Sequence, residues 1–215
     1  MDKSPPDIQR KLFIHYGKPA KGGVPGPPTD KSNGDSGTYK LIRGGIKWPE
    51  NKMPVPIEVN PANPYGLSED FIMETILVAA GEWDDGAYSQ LVDGNWDGVT
   101  PNLFADTIEF TTKDYDDLAW SSDKLDGANT IVWGDYPEDG VIAVTILWYN
   151  VKTKEIIEFD IVLDTDYIWG DAAQTPDVMD LQNIATHELG HGIGLDDVYQ
   201  DRASGGNNVW LQRLW

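Results

Sequence analysis

His187-Glu188-Leu189-Gly190-His191-Gly192-Ile193-Gly194-Leu195-Asp196-Asp197 reads as HExxHxxGxxD. Residues four apart on a helix lie one turn apart on the same face, so His187 and His191 can both aim an imidazole at one metal ion. Glu188 lies beside them, placed to take a proton from a water on that metal. This is the spacing a hydrolytic zinc site needs. Helix geometry alone would carry the chain past the metal, but Gly192 and Gly194 weaken the helix, and Gly194 can take a positive φ and turn the chain sharply. A ligand three residues after that turn can swing back to the metal. Asp197 has that offset, and its neighbour Asp196 competes for the role.

Composition narrows the options. The chain has 215 residues, enough for one good-sized core or one domain plus tails. It has no cysteine, so a metal must be held by His, Asp or Glu, and two of its three histidines are in the motif. A formal net charge of −20 argues against nucleic acid and against an anionic membrane surface as partners. No run of eighteen apolar residues is long enough for a transmembrane helix, and the first residues lack the apolar core of a signal peptide. A signal, if the protein is exported, lies outside this chain.

Residues 1–38 are rich in Pro, Gly, Ser and Lys, as in Lys18-Pro19-Ala20-Lys21-Gly22-Gly23-Val24-Pro25-Gly26-Pro27-Pro28. This composition predicts a flexible N-terminal segment. Within it Lys11-Leu12-Phe13-Ile14-His15-Tyr16 is an apolar island, either an added strand or the remnant of a pro-segment, with His15 expected to be an ordinary surface histidine. The folded domain is expected over 39–200, with 201–215 as a tail. Lys40–Arg43 and Val55–Asn60 read as strands. Ser68 is a good N-cap for an amphipathic helix that runs to about Trp83 through Phe71, Ile72, Ile76, Ala79 and Ala80. Four strands follow, at Thr107–Thr112, Asn129–Gly134, Val141–Tyr149 and Ile156–Asp164. A polar turn at 150–155 makes the last two antiparallel neighbours. Asp180 caps the motif helix.

The motif resembles the metzincin clan of zinc endopeptidases, whose pattern is HExxHxxGxxH or, in a minority branch, HExxHxxGxxD. The order strand, helix, four strands, helix is similar to the catalytic half-domain of that clan, the matrixins most, over about Tyr39 to Tyr199. The resemblance implies an α/β (α+β, zincin-like) fold. Its twisted, mostly parallel sheet has an antiparallel edge strand and packs on an N-terminal helix and the active-site helix. It also implies Asp197, in register, as the third zinc ligand beside His187 and His191, and Glu188 as general base in peptide-bond hydrolysis. A protein or peptide substrate would add to the edge strand through Val141, Ile142, Ala143, Val144 and Thr145. An aspartate ligand makes the metal a weaker Lewis acid than a third histidine would. A secreted monomer is the expected form. Val144 stands where matrixins carry a histidine for a structural zinc, so no second zinc is expected. Calcium is a further candidate cofactor, at Asp160, Asp164 and Asp166. The clan also carries a methionine turn after the third ligand. All four methionines, Met1, Met53, Met73 and Met179, precede Asp197, so the reading is of a chain cut off before the C-terminal subdomain or of a minimal form. A non-catalytic metal- or peptide-binding module is the competing reading.

Overall fold

A computed structural model describes residues 7–17, 40–42, 44–91 and 102–197. The expected tail at 201–215 lies outside the described residues.

Three apolar runs make the centre of the sheet. They are β5 (Thr130–Gly134), β6 (Val141–Asn150) and β7 (Ile156–Asp164). Their near-continuous burial reflects a sheet covered on both faces. β3 (Val55–Val59) and β4 (Phe104–Phe110) extend it on one side, and β1 (Ile8–Tyr16) on the other, giving the order β1-β6-β7-β5-β3-β4. β7, β5, β3 and β4 are mutually parallel, while β6 is antiparallel both to β7 and to β1. The sheet is therefore largely parallel with an antiparallel margin, as expected.

The β6–β7 turn closes as its polar sequence predicts. The Asn150 side-chain oxygen accepts from the backbone N–H of Lys152 at 2.8 Å and of Thr153 at 3.1 Å. The parallel β3–β4 crossover is made by α1 (Glu69–Leu91), whose start is capped where Ser68 Oγ accepts from Phe71 N–H at 3.2 Å. Ile72, Ile76, Ala79 and Ala80 form its buried stripe. α1 runs past Trp83, where propensity alone ends it. Tertiary contacts carry it on: Asp84 Oδ1 accepts from Leu103 N–H at 2.5 Å, just before β4 begins.

Two cores flank the sheet. On one face α1 and α2 (Leu181–Gly192) pack over Ile57, Ile131, Phe159 and Ile161. On the other, Leu118 and Ala119 cover Val132, Val144, Ile146, Trp148 and Val162. Short pairings finish the fold: β8 (Trp169–Gly170) runs parallel to β9 (Met179–Asp180), and β2 (Lys40–Leu41) runs antiparallel to β10 (Leu195–Asp196). No helix among the described residues is long and apolar enough to cross a membrane.

Part of the N-terminal segment expected over 1–38 is a strand. Nine of its residues form β1, zipped onto β6 from Ile8↔Asn150 to Tyr16↔Val141 with a slip between His15 and Tyr16. The alternation of a strand explains the pairing. Ile8, Leu12 and Ile14 pack on the second core, while Phe13 turns to the helix side. The apolar island is thus an added strand, and the Pro/Gly-rich stretch after it lies outside the described residues.

Candidate metal centre

α2 starts where Asp180 Oδ1 accepts from Asn183 N–H at 2.9 Å. It runs over Gln182 and Asn183 to bury Leu181, Ile184, Ala185 and Leu189 against the sheet. That face fixes the rotation of the helix, so His187 and His191 emerge one turn apart with their Nε2 atoms 3.1 Å apart. The helix stops at Gly192. Gly194 then takes a φ of +99°, and a Cβ there would lie 2.6 Å from the Ile46 carbonyl oxygen. Both the turn and the close approach require glycine. The Gly194 carbonyl accepts from Ile42 N–H at 3.0 Å, and the β2–β10 pairing ties down the next residues.

This returning strand delivers Asp197. Its Oδ1 lies 3.5 Å from His187 Nε2 and 3.5 Å from His191 Nε2. Asp196 faces elsewhere and pairs with Lys11 Nζ at 2.7 Å. Burial alone would raise the Asp197 carboxyl, but the two imidazoles beside it hold it well below the usual carboxylate range. His187 is shifted the other way. Burial would lower it, and the Asp197 contact outweighs that and raises it.

The donor set fits a tetrahedral cation. Zinc–ligand bonds of about 2.0–2.1 Å place neighbouring ligand atoms roughly 3.3 Å apart, and the three atoms here are separated by 3.1, 3.5 and 3.5 Å. The His191 Nδ1–H donates to the Leu195 carbonyl at 2.9 Å, leaving the Nε2 lone pair facing His187 Nε2 and Asp197 Oδ1. A backbone carbonyl thus fixes the tautomer a ligand needs.

Glu188 is fully buried beside this triad. The Thr145 hydroxyl donates to its Oε2 at 2.5 Å, while Oε1 finds no hydrogen-bond partner among the described residues. A buried carboxylate oxygen without a partner is costly and marks a position kept for chemistry or for a ligand. His15 Nδ1 stands 3.6 Å from that oxygen, and the His15 ring meets His187 edge-on at a centroid distance of 4.6 Å.

Sequence reasoning missed two of these roles. His15 was expected at the surface, yet its side chain is 15% exposed and lies against Glu188 and His187. It is one of only three histidines, carried on a β-prone apolar run, and that was the available signal. Thr145 was expected only as part of a peptide edge, and its hydroxyl also donates to Glu188. The expected peptide edge is occupied from within the chain. Val141, Ile142, Ala143, Val144 and Thr145 are all buried, and β1 already takes the backbone edge of β6 along this stretch. The aspartates considered for calcium are also engaged. Asp160 accepts from Ala119 N–H at 3.0 Å and Thr130 N–H at 3.1 Å, and Asp164 from Tyr136 N–H at 3.0 Å and Asp166 N–H at 2.7 Å. They bind loops to the sheet and form no convergent metal cluster among the described residues.

In sequence, the chain is similar to the metalloendoproteinase 2-MMP of Arabidopsis thaliana, 27% identical over 163 residues, which is 73% of this chain and 35% of that protein. It therefore spans about a third of the length of that relative. No protein-family model matches the chain. The distant similarity and the imidazole–carboxylate cluster together support a metalloprotease-related function with a metal ion such as zinc.

Proposed function

We propose that this chain is a zinc-dependent metalloendopeptidase domain of matrixin-like type, with His187, His191 and Asp197 as metal ligands and Glu188 as general base. The observation that carries this reading is the orphaned Oε1 of Glu188, held beside a three-ligand cluster of tetrahedral dimensions. A structural metal site would have no use for such an oxygen.

Bound zinc would supply Lewis-acid chemistry, polarising a carbonyl and acidifying water. The protein's own part begins at Glu188. The Thr145 hydroxyl fixes one carboxylate oxygen, so the other is left to accept the proton of an attacking water. The same oxygen then returns the proton to the departing amine. The Leu195 carbonyl keeps His191 in the ligating tautomer throughout. A second reading, a metal- and peptide-binding module without turnover, draws on β1, which lies along the edge a substrate would use.

The test is chelator-sensitive cleavage of an unfolded protein by the zinc-loaded chain. Glu188→Gln keeps the side chain's size and its contact with Thr145 but removes the base. We expect a rate loss of about 10²–10⁴ with zinc content unchanged. If the wild type binds one zinc and cuts no peptide bond between pH 5 and 9, the binding-module reading replaces this one.

A further inference from the structure

At the N-terminal ends of β3, β5 and β7 the fold encloses a cavity of about 390 Å³, a volume in the range of small-molecule sites. Its walls are pinned. Trp48 is held on two sides, since its indole N–H donates to the Gly192 carbonyl at 2.8 Å and its ring meets Phe159 edge-on at 6.4 Å. Ile156 is fixed beside it, because the Ile156 N–H donates to the Lys47 carbonyl at 2.9 Å and the Lys47 N–H to the Lys154 carbonyl at 3.0 Å. Asn129 Nδ2–H donates to the Pro56 carbonyl at 2.8 Å, while its Oδ1 accepts from Phe159 N–H at 3.0 Å. Walls tied in this way cannot fold inward, so the space is built into the packing. The Asn150 side-chain oxygen is also engaged, by the N–H groups of Lys152 and Thr153. Two charged groups on the lining remain open. The Lys52 ammonium and the Glu155 carboxylate are both exposed, and neither makes an ion pair or a side-chain hydrogen bond among the described residues.

We propose that this cavity binds a small zwitterion with a large apolar side chain, namely a free aromatic or aliphatic amino acid. Its carboxylate meets Lys52, its ammonium meets Glu155, and its side chain lies against Trp48, Ile156 and Pro56. An apolar space with one open cation and one open anion at its rim complements both charges of such a ligand. A ligand with a single charge would cover the other rim group without giving it a partner, which weakens binding. A neutral apolar ligand would do so twice. None of the lining groups is among the residues assigned to the metal or to catalysis, so binding does not depend on turnover.

The experiment uses the whole chain and three ligands that share a phenyl ring and differ in charge: L-phenylalanine, 3-phenylpropanoate and 2-phenylethylammonium. Binding is titrated by saturation-transfer NMR near neutral pH. We expect L-phenylalanine to bind with a Kd on the order of 1 mM, as suits a ligand of about a dozen non-hydrogen atoms. Each singly charged relative should bind about fivefold more weakly. Lys52→Gln should weaken L-phenylalanine and 3-phenylpropanoate by about fivefold and leave 2-phenylethylammonium unchanged. Glu155→Gln should weaken L-phenylalanine and 2-phenylethylammonium to a similar extent and leave 3-phenylpropanoate unchanged. Both side chains are exposed, so neither substitution should move the thermal midpoint beyond the scatter of surface changes. Glycine carries both charges and no side chain, and should not bind measurably. Glycine binding as well as L-phenylalanine would remove the cavity from the site. Equal affinity for the three phenyl ligands, unmoved by either substitution, would reduce the effect to apolar adsorption and overturn the assignment. Amino acids also chelate zinc, so the titration is run on zinc-loaded and metal-free chains, which should bind alike. Binding that requires zinc would place the amino acid at the metal centre instead. No binding of L-phenylalanine at about ten times the expected Kd would overturn the site outright.

Discussion

Asp196 and Asp197 carry the same side chain one residue apart, and the fold gives them opposite company. The β2–β10 pairing holds this stretch extended, so successive side chains leave on opposite sides. One meets Lys11 and the other meets two imidazoles. Removing a ligand costs more than removing a group that merely orients one, for which losses of about 10- to 100-fold are usual. Asp197→Ala should therefore weaken zinc binding by roughly 100-fold or more, and Asp196→Ala by no more than about threefold, in competition with a chromogenic chelator. The reverse order would place the ligand at Asp196. His187, Glu188 and His191 could be read from the sequence because their geometry is local, set by the period of one helix. Thr145 and His15 could not, because each reaches Glu188 from a strand more than forty residues away in the chain. Only sheet order and register bring them there.

The two helices are held together at Gly190. A Cβ at that position would lie 2.5 Å from Cζ2 of Trp83, whose indole N–H donates to the Thr186 carbonyl at 2.7 Å. The ring is pinned and cannot swing away, so an added methyl must push α1 and α2 apart. Overpacking of this kind costs about 1–3 kcal/mol. Gly190→Ala should lower the thermal midpoint accordingly and disturb the alignment of His187 and His191, read as weaker zinc binding. An unchanged midpoint would show that Trp83 finds another rotamer. Periodicity made the buried stripe of α1 and the strands β3 and β5–β7 readable. The final turns of α1 were not readable, since Asp84, Asp85 and Gly86 disfavour a helix locally and the contact with Leu103 lies far along the chain. β1 was ambiguous for a related reason. An apolar run of six residues in a Pro/Gly-rich segment does not say which edge it will meet.

Across the whole sheet, buried carboxylates set the response to pH. Glu158 on β7 is 1% exposed and accepts backbone N–H groups of Asp126 at 2.9 Å and Gly127 at 2.5 Å. Burial nevertheless pushes its carboxyl up to about 7, and Asp160 on the same strand up to about 6. Both groups hold a proton more tightly in the folded chain than in the unfolded one. Their contribution to stability is complete below the ordinary carboxylate range and is lost as pH rises through about 6 to 7. Thermal melts should therefore show falling stability between pH 5 and 8. Glu158→Gln, whose amide oxygen can accept the same two N–H groups, should flatten that fall by at most about 3 kcal/mol and match the wild type near pH 4. A parallel decline in both proteins would assign the effect to other groups.

The pairing of β1 with β6 also orders events in time. Ile8 and Asn150 are neighbours in the sheet but lie 142 residues apart in the chain. On a ribosome adding roughly 5–20 residues per second, β1 emerges before β6 and waits on the order of ten seconds for its partner strand. During that wait Leu12, Phe13 and Ile14 have nothing to pack on. β6 cannot offer its edge until it has left the exit tunnel, so a segment made before the rest of the sheet is among the last to be placed. The nascent protein must shield that short apolar run until the sheet is there to receive it.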